Sequence, residues 1–170
     1  RTSFQEDMSV TIRPYQEADF PRFVELIRGI VDLMADIDPH KRFRKKEDFD
    51  AETQAKEELK KAAQEEGAVF VAEVDDVVAG CIVGTVYDFD AIEQLNKYPT
   101  KQGYIETLFV DETYRSAGVG PKLIEAIEEH FRSIDCEYSS LGCVAENMAA
   151  RNFYTKMGYG EQYVSFLKKL

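Results

Sequence analysis

The sequence predicts a mixed α/β domain: a central, mostly antiparallel twisted sheet, helices on both of its faces, and one parallel β-α-β unit. Three observations lead there. Apolar residues change along the chain between alternation and helical spacing, the pattern of strands interleaved with helices. Two β-rich runs flank Asp75-Asp76 as the arms of a hairpin would. "GYIETLFV", a Gly-rich turn and "LIEAIEEHF" give strand, turn and helix in succession, the first part of a parallel unit over residues 103–145. At 170 residues the chain can fill one core and is short for two, so a single domain over 1–170 is expected.

Each element has its own signal. "SVTIRPY" alternates and ends at Pro14, a first strand. Phe20, Phe23, Val24, Ile27, Ile30, Val31 and Met34 recur at helical spacing; Asp19 is the expected N-cap and Pro21 is tolerated in the first turn. Pro39 disfavours helix at Asp38 and ends that element. "AETQAKEELKKAAQEEG" is rich in helix formers and poor in apolar residues, so it reads as a surface helix stopping at Gly67. The hairpin "AVFVAEVDDVVAGCIVGTVYDF" follows, then the polar loop "DAIEQLNKYPTKQ" with room for one helical turn. After the strand "GYIETLFV", Leu123, Ile124, Ile127 and Phe131 mark a helix. "YSSLGCVA" reads as a strand, and "NMAARNFYTKM" as a short helix between Asn147 and Gly158. Alternation in "QYVSFLKKL" predicts one terminal strand over roughly Gln162–Lys169. The expected order is β-α-α-β-β-β-α-β-α-β.

Composition excludes several classes. A net charge of −11 repels nucleic acid and anionic lipid, so neither is expected as a partner. No run approaches the ~20 apolar residues that span a bilayer. The opening "RTSFQEDMSV" lacks the apolar centre of a secretory signal. Met8 reads as a native start, with residues 1–7 an appended remnant. Cys81, Cys136 and Cys143 form no disulfide framework; Cys81 and Cys143 lie in apolar runs as core thiols do, and a reducing cytoplasm is expected. His40 and His130 have no ligand-spaced partner, so no metal site is expected.

The segment "VDETYRSAGVGPKL" places an Arg and two glycines at the mouth of a helix. Free N–H groups and the helix dipole make such a turn an anion cradle. It is no P-loop, because no Gly-Lys-Ser/Thr follows, and no dinucleotide fingerprint, because Leu123 stands where a third glycine belongs. On the glycines alone, a tight ligand-free turn fits as well.

Two blocks extend this reading. Arg115-Ser116-Ala117-Gly118-Val119-Gly120 resembles the Arg/Gln-x-x-Gly-x-Gly/Ala pyrophosphate pattern of the GNAT superfamily of acetyl-CoA-dependent N-acetyltransferases. Asn147, Ala150, Phe153, Tyr154 and Gly158 resemble its second motif, in the right order and spacing. The resemblance implies acetyl-CoA as co-substrate. Its pyrophosphate would lie on Arg115, Ser116, Ala117, Gly118, Val119 and Gly120, and its pantetheine arm would add like a strand along Leu108, Phe109 and Val110. Main-chain groups of Leu108 and Val110 would pair with that arm, with the Leu108 N–H as oxyanion donor. Pro121 departs from the common pattern and removes one N–H.

Acetyl transfer also needs a proton acceptor and a proton donor. The resemblance puts a base at Glu106 and a general acid for the thiolate at Tyr154, with Asn147 on the pantetheine or capping its helix. Taken without the resemblance, Glu106 also reads as a strand residue facing solvent or salt-bridged, and Tyr154 as a core tyrosine on an amphipathic helix. Strict alternation puts Tyr104, Glu106, Leu108 and Val110 on one face. The resemblance implies a small-molecule or peptide amine as the acceptor. Asp32, Asp36, Asp38, Asp88, Asp90 and Glu93 would suit a cation, and Tyr87, Phe89 and Tyr98 an apolar or aromatic amine. A non-catalytic acyl-CoA-binding domain, or transfer of another acyl group or to a hydroxyl, is the competing reading. The open edge beside the terminal strand could be covered by a second subunit, giving a homodimer.

Overall fold

The computed structural model describes residues 9–170; the expected start at Met8 and its remnant lie outside the described residues. Five strands form one sheet in the order β1-β2-β3-β4-β5. They are β1 (Val10–Pro14), β2 (Ala68–Val74), β3 (Val77–Tyr87), β4 (Gln102–Val110) and β5 (Tyr138–Leu141). All neighbours are antiparallel except β4 and β5, which are parallel. Four helices accompany them: α1 (Phe20–Ile37), α2 (Ala51–Gln64), α3 (Val119–Ser133) and α4 (Met148–Lys156).

The helices cover both faces, as patterned. On one, Phe23, Leu26 and Ile27 of α1 and Ala51, Ala55 and Ala62 of α2 bury against Val71, Cys81 and Val83. The sequence marks α2 as a surface helix, but its alanines are its contact: without longer side chains it lies close on α1 and the sheet. On the other face, Leu123, Ile124, Ile127 and Phe131 of α3 bury against Ala72, Ile82 and Ile105, with Phe153 and Tyr154 of α4 at the margin. Fully burying each such Leu or Phe contributes about 1.5–3 kcal/mol.

Local chemistry fixes the ends. Asp75 and Asp76 have φ of 50° and 62°, the left-handed pair of a two-residue type I′ hairpin loop. Asp19 precedes α1 but makes no side-chain cap on it. Its carboxylate instead takes two bonds from Arg13, at 2.7 and 2.8 Å, and one from the Gln16 N–H. Those bonds hold its carboxyl below the usual carboxylate range, Arg13 being the main cause. Asp38, in extended backbone before Pro39, ends α1 and accepts the N–H groups of His40 and Arg42.

Two sequence expectations fail at the C-terminal end. β5 stops at Leu141 rather than continuing through Ala145, which leaves Cys143 exposed in a loop, not buried. The strand expected over Gln162–Lys169 does not form: residues 159–170 contain neither helix nor strand, and Tyr163, Val164, Phe166 and Leu167 are exposed. Its alternation gives apolar residues on both faces, so it needs cover on both. β5 offers a four-residue edge and no layer beyond it.

Candidate active site

The site forms where β4 outruns β5. Pairing with β5 covers only Gln102–Ile105, so the outer edge of β4 has no strand neighbour from Glu106 to Val110. The cradle lies at the end of that edge, with α4 packed beside it.

The cradle is built by a short turn. Asp111 accepts the Thr113 N–H at 3.0 Å, and a 3-10 turn over Glu112–Tyr114 leads into Ser116 and Gly118, whose φ values are 70° and 77°. Backbone bonds inside the turn use the Arg115 and Ala117 N–H groups. Those of Val119 and Gly120, in the first turn of α3, have no acceptor within the helix, and Pro121 has none to give. A Cβ on Gly118 would meet nothing within 4 Å, so the turn opens outward. A Cβ on Gly120 would lie 3.2 Å from the Phe153 ring: that glycine admits α4 rather than a ligand. Arg115 donates through Nε to the Val110 carbonyl at 3.2 Å and sits over the Phe109 ring at 5.7 Å, so it ties the cradle to the β4 edge.

α4 stands on the same side as α3. Asn147 caps it, accepting the Ala150 N–H at 3.2 Å. Tyr154 packs edge-on to Phe153 and to Tyr159, at 5.3 and 6.0 Å between centroids. Burial pushes its hydroxyl up to about 12, so it keeps its proton at neutral pH. Tyr159 fixes this corner. Its hydroxyl donates to Glu128 of α3 at 2.8 Å and meets the Ser139 hydroxyl of β5 at 2.8 Å.

Glu106 departs from the expected geometry. Val83 pairs with Thr107 and Gly84 with Ile105, which leaves Glu106 as the extra residue of a β-bulge. Alternation therefore breaks there. Leu108 and Val110 pack on the α3 side, whereas Glu106 and Thr107 both turn toward α2. The single face expected for Tyr104, Glu106, Leu108 and Val110 does not exist.

The carboxylate is not alone. Glu106 Oε1 accepts from Lys61 Nζ of α2 at 2.5 Å and from the Thr85 hydroxyl at 2.7 Å. Thr107, next along the strand, donates to Glu58 Oε2 at 2.9 Å, and Gln54 donates to Glu58 Oε1 at 2.8 Å. Burial raises the Glu58 carboxyl, with its two hydrogen bonds opposing. Periodicity singled out neither Glu58 nor Lys61, since each is one charged residue among many on α2.

The expected acidic wall is partly spent on itself. Asp38 holds its turn, Asp90 accepts the N–H groups of Ile92 and Glu93, and Glu93 binds Lys97 and the Tyr87 hydroxyl. Lys97 also lies over the Phe89 ring at 4.7 Å. Tyr98 is exposed.

Cradle, open edge and α4 corner are the arrangement of one class of protein, and comparison gives it a name. Residues 30–159 match the Acetyltransferase (GNAT) family, and the chain belongs to it. An N-alpha-acetyltransferase from Sulfurisphaera tokodaii is 35% identical over 100 residues, 56% of this chain and 58% of that protein. The chain spans about half the length of the curated relatives it matches. Among solved structures, a mutant of the BH1408 protein from Bacillus halodurans superposes with a TM-score of 0.79 at 22% identity, covering 94% of this chain and 99% of that one. AAC(6')-Iy, in complex with the bisubstrate analog CoA-S-monomethyl-acetylneamine, superposes with a TM-score of 0.65 at 19% identity, over 95% and 99% of the two chains. At those identities the two structures speak to fold alone. No helix among the described residues is long and apolar enough to cross a membrane.

Proposed function

We propose that this chain is an N-acetyltransferase that moves an acetyl group from acetyl-CoA to a primary amine of a small molecule or peptide. The observation that carries this is the unpaired edge of β4, running from the Glu106 bulge to the cradle, where Phe153 of α4 packs against Gly120. Acetyl-CoA supplies the thioester. Arg115, Ser116, Ala117, Gly118, Val119 and Gly120 would bind its pyrophosphate, chiefly through the first-turn N–H groups of α3 and the helix dipole. The outward-open Gly118 turn fits such a group. Leu108, Phe109 and Val110 would flank the pantetheine arm by main-chain pairing.

The chemistry falls to a few groups. Glu106 takes the proton that the acceptor ammonium must lose. The Leu108 N–H donates to the developing oxyanion. Tyr154, still protonated at neutral pH, gives its proton to the departing thiolate. Asn147 keeps α4 in place as its cap. Asp36, Asp88 and the aromatic residues Tyr87 and Tyr98 suit a cationic amine with an apolar body. A reducing cytoplasm fits the three unpaired cysteines. The bare β5 edge and the exposed apolar tail fit a homodimer that covers both; sedimentation that gives a monomer at every concentration would remove it. Acetyl-CoA titration, followed by thiol release across a panel of amines, tests the function. Binding without amine-dependent release would leave an acyl-CoA-binding domain instead.

A further inference from the structure

The Glu106 carboxylate, offered above as the acceptor's base, already holds an ammonium. Lys61 Nζ lies 2.5 Å from its Oε1, and the Lys61 side chain is 47% exposed, so the pair can open. Glu106 raises the Lys61 pKa, which keeps that amine charged and unreactive. Glu58 stands one helical turn before Lys61 on α2, at the spacing that puts side chains on one face. Both line one groove of about 370 Å³ along α2. Glu57 and Lys60 of the same groove pair with each other at 3.7 Å. Among the groups that donate to Glu106 and Glu58, Lys61 is the single cation against two carboxylates, and an arriving ammonium makes that count even.

We propose that Lys61 is the specificity-determining residue of the acceptor site: it occupies Glu106 in the resting protein and moves to Glu58 when the ammonium of a primary amine takes its place. The proposal rests on the reading of Glu106 as the acceptor's anchor. Neutral or anionic ligands would leave the Lys61 pair closed, whereas a cation exchanges with it at little cost. Thr85 and Thr107 hold the two carboxylates in place throughout, one hydroxyl to each.

The test uses methylammonium, the smallest probe of an ammonium site, titrated against the full chain with 13C-labelled glutamate carboxyls. Methylammonium should shift the Glu106 signal. Lys61→Met removes the resident charge and keeps the apolar stem; it should tighten that titration about twofold to fivefold, the worth of a partly exposed ion pair. Lys61→Arg keeps the charge and can grip Glu106 with two N–H groups, so it should weaken the titration. Glu58→Gln should weaken it in the wild-type background and do nothing in Lys61→Met, a non-additive pair. A Lys61→Met titration that is unchanged or weaker overturns the proposal, as does additivity of the two substitutions. Failure of the acetyltransferase reading is separable: a chain that acetylates no amine can still show the exchange, and an active one can lack it.

Discussion

Glu106 and Leu108, two residues apart on β4, face opposite sides of the sheet. The bulge at Glu106 does this by adding one residue against Val83 and Gly84. A carboxylate is thereby aimed at α2, while the strand beyond it keeps its apolar side chains on α3. Glu106 and Leu108, proposed above as base and oxyanion donor, thus lie on one short segment without a polar side chain in the α3 core.

Replacing Glu106 tests its proposed role as the base. Glu106→Gln keeps shape and hydrogen bonding and removes the proton acceptor. We expect kcat/KM to fall about 10²-fold or more at neutral pH and to recover partly at high pH, where more of the amine is already free. A pH–rate profile superimposed on wild type would assign Glu106 to structure, as the partner of Lys61.

Tyr154→Phe removes one hydroxyl and little volume. If that hydroxyl protonates the thiolate, kcat should drop about 10²-fold while acetyl-CoA affinity, measured by calorimetry, stays near wild type. An unchanged single-turnover rate would leave Tyr154 as packing for Phe153 and Tyr159.

The two glycines of the cradle should behave differently. Gly118→Val puts its Cβ within 4 Å of no atom but forces a β-branched residue to φ of 77°, at a cost of about 1–2 kcal/mol. Its main effect should be on acetyl-CoA binding. Gly120→Val drives against Phe153 and so displaces α4, and it should lower both binding and kcat. Calorimetry and turnover on the folded variants check this; wild-type affinity in both would remove the cradle from the cofactor site.

Much of this was legible in the chain itself. Asp75-Asp76 announced the hairpin, and Arg115 to Gly120 announced the cradle, because each is a local rule acting on adjacent residues. The bulge was not legible. A strand reading assumes regular period, and nothing in "YIETLFV" marks where one extra residue enters. The Lys61–Glu106 pair joins residues 45 apart in sequence, so it needed the packing of α2 to exist. The terminal segment failed for the opposite reason. Its alternation was real, but a strand also needs an edge to pair with and a layer to cover it.

Glu58 allows a stability test. Burial raises its carboxyl in the folded chain above the ordinary glutamate value. The folded state therefore favours the protonated form, and stability is full below the unfolded pKa and falls as pH rises through the folded one. Glu58→Gln, permanently neutral, should raise Tm at neutral pH and give no gain below the ordinary glutamate range. A Tm difference independent of pH would show that Glu58 is not buried as a charge.

Residues 161–170 are exposed throughout and form no strand. Truncation after Gly160 should shift the Tm of the isolated chain little, since surface changes are usually within about 0.5 kcal/mol. A large loss of Tm would mean that the tail is covered in solution, and a concurrent change in sedimentation would identify a second copy as the cover.

The most direct measurement is thiol release from acetyl-CoA over a panel of primary amines, with product mass recorded for each. The account predicts free thiol that depends on the amine, appears with an equal amount of N-acetylated product, and forms about 10²-fold more slowly at neutral pH in Glu106→Gln and Tyr154→Phe. Acetyl-CoA that binds at the cradle yet releases no thiol with any amine would contradict it.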